Sequence, residues 1–227
     1  MKLPFRPNRV SKAFTLGEVL SVIAIIGILA SFVLPITARL RAEGERAKCA
    51  ANMRQYLTAL SLFVANNNGK LPECVHTSQK TVEVRIQLAP YLAAPGDLTD
   101  HELFLWAGKI TCASSAKTTK GRSWSFGFNS WTSKLPMQGI TTPGSLIYMM
   151  EATGSRAIRP ETFTGLPDDF RQAIPRPHNG KINAGFLDGH IEARKASSLT
   201  WADFTKGTPS YVPSYDTRMV TTAQYDK

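Results

Sequence analysis

The chain has 227 residues, of which 43% are hydrophobic and 19% charged, and its formal net charge is +10. This length suits one N-terminal anchor and one globular domain, and the hydrophobic content excludes a largely disordered chain. Residues 1–13 carry four basic residues and no acidic one, so their removal would lower the charge to +6. The other positive charges are scattered and not interleaved with aromatic residues, so we expect solvated faces and no nucleic-acid partner.

An apolar segment follows this basic leader. Phe14 to Leu34 is 21 residues, about 31 Å as a helix, which is enough to cross a bilayer core. The basic flank predicts a cytoplasmic N-terminus and an exported C-terminal part. A secretory signal peptide would carry its small cleavage residue after the apolar run, whereas Ala13 precedes it. A plain signal anchor would not need Glu18, because a carboxylate in an apolar segment is costly unless it has a partner.

The residues from Phe14 to Ala30, FTLGEVLSVIAIIGILA, are followed by Pro35 at position 22 counted from Phe14. This segment resembles the cleavage and methylation segment of type IV prepilins and type II secretion pseudopilins. Two residues depart from the family pattern: Ala13 replaces a glycine before the cleavage point, and Gly17 replaces an aliphatic residue.

The resemblance implies that a prepilin peptidase cuts between Ala13 and Phe14 and that the new amine of Phe14 is methylated. It also implies that Glu18 pairs with the Phe14 amine of a neighbouring pilin or pseudopilin subunit during assembly. An amine and a carboxylate attract strongly in a low dielectric, and each offsets the other's cost of burial. The implied location is the bacterial inner membrane, crossed once by residues 14–34, with a periplasmic head or incorporation into a filament.

The implied fold is α+β and pilin-like, with a long N-terminal helix packed on a small antiparallel sheet. We expect a cleaved leader (1–13), a transmembrane and assembly helix (14–35), an amphipathic continuation (36–68) and a globular head (69–227). Pro35 is expected to bend the helix. Apolar residues at helical spacing predict the packed stripe: Leu40, Ala47, Ala50, Met53, Leu57, Leu60 and Val64.

Four segments of the head carry weaker signals. Val82–Leu92 suits a short helix or strand, and Leu103–Cys112 suits a strand. Ser123–Phe128 alternates polar and aromatic residues, as in a half-buried strand, and Leu146–Met150 predicts a buried strand.

A hairpin is predicted near residues 181–194, because Asp188-Gly189 separates two alternating runs. A two-residue turn would place Phe186 opposite Ile191. His178 precedes Asp188 with nine residues between them, which resembles the signature of a group of bacterial prepilin-like proteins. We expect His178 to be architectural, so that His178 and Asp188-Gly189 fix the two ends of one strand.

The three cysteines form no C-x-x-C motif, so a zinc ribbon or a thioredoxin-type site is not indicated. Export would permit one disulfide. The resemblance implies a bond between Cys49 and Cys112, with Cys74–Cys112 as the alternative.

The resulting hypothesis is a structural filament subunit that is not an enzyme and needs no cofactor, because the sequence has no H-E-x-x-H motif, phosphate loop or evident nucleophile–base pair. One alternative is a membrane-displayed head that binds a ligand or a metal, with His178, Asp188 and His190 as ligands. Another is a minor pilin for DNA uptake. A pilus and a secretion pseudopilus share the same N-terminal pattern, so the sequence leaves both open.

Overall fold

The computed structural model describes residues 15–76, 81–112, 125–152, 157–158, 178, 180–195, 198–200 and 202–209. The described residues form an α+β structure with an N-terminal helix and one main β-sheet. The chain divides into two compact units, Met1–Arg41 and Ala42–Lys227. The expected leader and cleavage point, residues 1–14, lie outside the described residues, as does the side chain of Pro35.

Helix α1 (Leu16–Asn66) is 51 residues long. Its start is a capping box: the Thr15 backbone N–H donates to Glu18 Oε2 at 2.8 Å, and the Glu18 N–H donates back to Thr15 Oγ1 at 3.4 Å. Every side chain from residue 15 to residue 32 is exposed. Among the described residues, no helix is assigned as long and apolar enough to cross a membrane.

The C-terminal part of α1 packs into the core of the second unit. Met53, Leu57 and Leu60 of the predicted stripe are buried there, whereas Leu40 is 66% exposed. Cys49, Tyr56 and Ala59 extend the buried face. As predicted, the helix ends before Gly69: Asn68 and Gly69 have φ of 53° and 72°, and the Gly69 N–H donates to the Val64 carbonyl.

A short antiparallel pair and two helices follow α1. These elements are β1 (Val75–His76), β2 (Thr81–Val82), α2 (Val84–Leu88) with a 3-10 turn at Ala89–Leu92, and α3 (Asp100–Ala107).

The strand expected over Leu103–Cys112 is wrong, because its first half lies in α3. Thr99 and Glu102 form a capping box that starts this helix, with the Thr99 N–H donating to Glu102 Oε2 at 2.9 Å. A short apolar run fits a helix and a strand equally well, so the Thr-x-x-Glu pattern is the deciding signal.

The main sheet has five strands in the order β5-β3-β4-β6-β7. Its strands are β3 (Phe126–Asn129), β4 (Ile147–Glu151), β5 (Ala157–Ile158), β6 (Lys181–Phe186) and β7 (Ile191–Lys195). The order β3-β4-β6-β7 is antiparallel throughout, and β5 pairs with β3 in parallel.

Both faces of the central strands are covered. Alternate residues of β6, namely Ile182, Ala184 and Phe186, join a cluster with Leu199 and with Phe204 of the short helix α4 (Ala202–Thr205).

Gly185 lies between Ala184 and Phe186 on β6 and faces the opposite side of the sheet, toward α1. A Cβ there would lie 3.0 Å from the Leu57 side chain. This double coverage explains why β3 is fully buried, where the alternating sequence predicted a half-buried strand.

The C-terminal hairpin forms where the sequence predicts it, but its register is one residue different. Gly185 pairs with Ile191, and the Phe186 N–H donates to the His190 carbonyl at 2.9 Å. Three residues therefore form the loop, and its last one, Gly189, has φ of +96°. Because β6 is buried on both faces, its hydrophobic pattern does not fix the register.

Candidate functional site

A disulfide joins α1 to the segment after α3. Cys49 and Cys112 are both buried, and their Cα atoms are 4.7 Å apart, within the usual range for such bonds. This is the pairing that the resemblance implies. Cys74, the third cysteine, is buried and forms no disulfide.

A buried histidine and a buried glutamate lie beside this disulfide. His178 Nε2 is 3.0 Å from Glu151 Oε1, and the two side chains are 2% and 0% exposed. The same nitrogen lies 3.6 Å from Cys112 Sγ. His178 Nδ1 has no hydrogen-bond partner among the described residues. His178 therefore contacts a carboxylate and a sulfur atom.

Glu151 is held by a second residue on the neighbouring strand. The Asn183 backbone N–H donates to Glu151 Oε2 at 3.0 Å, and Asn183 Nδ2 donates to Glu151 Oε1 at 2.8 Å. The same amide group lies 3.3 Å from the carbonyl of Arg46 in α1. A buried carboxylate is tolerated only when its oxygens accept hydrogen bonds or pair with a cation, and these donors meet that need.

Four potential metal ligands meet at this point. One sulfur each from Cys49 and Cys112, a carboxylate oxygen of Glu151 and a ring nitrogen of His178 all lie within 4.8 Å of one another. Each residue is buried, so the cluster is closed to bulky substrates. Its atoms are two soft sulfurs, one imidazole and one carboxylate.

The structure does not gather the metal trio considered from the sequence. His178 is in the buried cluster, whereas Asp188 and His190 are exposed in the hairpin loop, with His190 Nδ1 2.6 Å from Asp188 Oδ1. The His190 ring stacks on Phe186 at 4.1 Å between centroids. Partial burial opposes ionisation of Asp188, but the hydrogen bonds from His190 prevail and lower the pKa of that carboxyl. In the described residues, the four-ligand cluster contains neither Asp188 nor His190.

Glu18 has a local role that the sequence interpretation did not include. Its carboxylate is exposed and caps α1 through both the backbone N–H and the hydroxyl of Thr15, each at 2.8 Å. Ala13 and Phe14, the expected cleavage and methylation residues, lie outside the described part of the chain.

Sequence reasoning missed Glu151 and Asn183. Glu151 directly follows the apolar run Leu146–Met150, and Asn183 stands between Ile182 and Ala184. A polar residue that interrupts a buried strand requires a partner, and this was the available signal. Their contact depends on strand pairing between β4 and β6, which short-range patterns do not specify.

A polar cleft of about 340 Å³ lies beside the hairpin. Its lining includes His190, Arg194 and Lys206. Arg194 donates to Glu192 at 3.0 Å and to Asp203 at 2.7 Å, so its charge is compensated within the cleft. This balance gives the cleft no strong preference for an anionic ligand.

No protein-family model, curated protein sequence or solved structure matches this chain.

Proposed function

We propose that this chain is a structural subunit of a type IV pilus-like or type II secretion pseudopilus filament, and that it is not an enzyme. The sequence basis is the basic leader, the small residue Ala13, and the apolar segment from Phe14 to Leu34 with Glu18 near its start. The proposed fold class is pilin-like, which is consistent with an α+β structure in which the C-terminal part of the N-terminal helix packs on an antiparallel sheet.

One observation supports the proposal more than any other. The side chains of residues 16–32 in α1 are all exposed, and many of them are large and apolar, such as Ile25, Ile26 and Phe32. Apolar surface in water costs roughly 25 cal/mol per Å², so such a helix needs lipid or other helices around it. A membrane and the helical core of a filament supply these two environments in turn.

In this proposal, prepilin peptidase removes residues 1–13 and the amine of Phe14 is methylated. Residues 14–34 anchor the chain in the inner membrane, with the head on the periplasmic side. Glu18 then pairs with the Phe14 amine of an adjacent subunit. A head with a disulfide is consistent with export to an oxidising compartment.

Filament isolation tests the proposal. Filaments are sheared from the surface of cells that express the tagged chain and are also released from the periplasm of their spheroplasts. Both filament fractions are collected by sedimentation and probed for the chain beside an inner-membrane marker. We expect the processed chain in one of these fractions without the marker, and its loss from that fraction when the prepilin peptidase is deleted. Recovery of filaments built from other subunits, with this chain wholly in the membrane, would contradict the proposal.

A further inference from the structure

The buried cluster beside β4 has a chemistry that filament assembly does not use. Cys49, Cys112, Glu151 and His178 present four ligand atoms within 4.8 Å of one another, all shielded from solvent. We propose that reduction of the Cys49–Cys112 disulfide converts this cluster into a closed, four-coordinate zinc site.

The existing distances are close to those of such a site. Zinc–sulfur bonds of about 2.3 Å and zinc–nitrogen or zinc–oxygen bonds of about 2.0 Å place tetrahedral ligands about 3.3–3.8 Å apart. Cys112 Sγ is already 3.6 Å from His178 Nε2, and that nitrogen is 3.0 Å from Glu151 Oε1. Formation of the site therefore requires separation of the two sulfur atoms after their bond is broken, and shortening of any ligand distance that exceeds about 3.8 Å within the 4.8 Å span of the cluster.

The donor set and its supports also favour zinc. Two thiolates, an imidazole and a carboxylate are all established zinc ligands, and a buried set of four protein ligands is typical of structural sites. Asn183 orients the Glu151 carboxylate through two hydrogen bonds, as the residues behind metal ligands commonly do. Zinc would join the same segments as the disulfide, so it would replace one crosslink with another.

The conversion is chemically balanced. A phosphine and one water molecule become a phosphine oxide and give two electrons and two protons, while the Cys49–Cys112 bond breaks and each sulfur gains one proton. A dithiol supplies the same electrons and protons by becoming a disulfide. Zinc then displaces these two protons and forms two zinc–sulfur bonds. For His178 Nε2 to coordinate zinc, the neutral imidazole must carry its proton on Nδ1. The Nδ1 atom forms no hydrogen bond with any described residue.

The test uses the full-length chain in detergent, in oxygen-free buffer, with a phosphine as reductant and zinc or cobalt(II) as the probe. We expect one zinc per chain after reduction and none in the oxidised protein. Cobalt should give the thiolate charge-transfer and visible bands of a tetrahedral site. Cys74→Ser serves as the control, because it removes a buried thiol outside the cluster and should leave this stoichiometry unchanged.

His178→Gln tests whether the histidine is a ligand, and zinc affinity should fall at least about 100-fold. Circular dichroism of the reduced wild-type chain with zinc shows whether the fold persists. Absence of zinc from the reduced chain, unchanged affinity in His178→Gln, loss of binding in Cys74→Ser, or unfolding despite zinc would each overturn the proposal. None of these readouts depends on filament assembly, so the filament proposal stands or falls separately.

Discussion

His178 Nε2 lies 3.0 Å from Glu151 Oε1, and both side chains are buried. This contact fixes a residue three positions before the start of β6 to the last residue of β4. Asp188 lies beyond the other end of β6, in the hairpin loop. The nine residues between His178 and Asp188 therefore comprise strand β6 and the short segments that connect this strand to His178 and to Asp188. This geometry explains the spacing without a joint site for the two side chains.

Replacing Glu151 tests the energetic importance of the contact. Glu151→Gln would direct an amide N–H₂ group at buried donors of His178 or Asn183, so we expect a loss of about 3 kcal/mol in the free energy of unfolding. Denaturant titration with the disulfide intact measures it. Glu192→Gln, at an exposed carboxylate on β7, should change stability by less than about 0.5 kcal/mol. Equal effects of the two substitutions would refute the special role of Glu151.

Strand β6 approaches α1 closely at Gly185. A Cβ at this position would lie 3.0 Å from Leu57 Cδ1 and from Met53 Sδ. Gly185→Ala should therefore destabilise the head by about 1–3 kcal/mol through overpacking, measured by thermal or denaturant unfolding. Gly96→Ala is the matched control, since its Cβ would meet nothing within 4 Å. A neutral Gly185→Ala would mean that the helix moves away from the sheet at little cost.

The hairpin loop requires a residue that tolerates positive φ. Gly189 has φ of +96° and open space around the position of a Cβ, so any penalty comes from the backbone and not from a clash. Gly189→Val should cost at least about 1–2 kcal/mol, whereas Gly189→Asn should cost less because asparagine enters this region more readily. Comparison of unfolding midpoints distinguishes the two. Similar midpoints for the Val and Asn variants would show that the loop readily adopts another conformation.

Two substitutions separate the capping role of Glu18 from its proposed role in assembly. Glu18→Gln keeps a side chain suited to a capping box but removes the charge, whereas Glu18→Ala removes both. We expect both variants to be inserted stably in the membrane and both to be nearly absent from sheared filaments. If Glu18→Gln assembles like the wild type, pairing between the carboxylate and the Phe14 amine is not required.

Much of the fold could be predicted from local sequence. Helix α1 was expected to continue to residue 68 and ends at Asn66, and β4 and the hairpin followed from apolar runs and the Asp188-Gly189 pair. The helix α3 was mistaken for a strand because a short apolar run has no decisive period, although Thr99 and Glu102 marked its start. The hairpin register was wrong by one residue because β6 is buried on both faces.

The buried cluster was predicted least well. Its members come from four separate segments, and only strand pairing between β4 and β6 brings Glu151 and Asn183 together. The resemblance to prepilin-like proteins implied the cysteine pair but gave no reason to place His178 beside it. Long-range contacts of this kind depend on the packing of the whole head and not on local spacing.

The mass of the mature N-terminus shows whether the chain is processed as a prepilin. The chain is extracted from the membranes of cells that contain prepilin peptidase, and its N-terminal peptide is analysed by mass spectrometry. We predict a chain that starts at Phe14 and carries a methyl group on its amine, and an unprocessed chain in cells without the peptidase. An intact leader in peptidase-containing cells, or cleavage after residue 30, would contradict it.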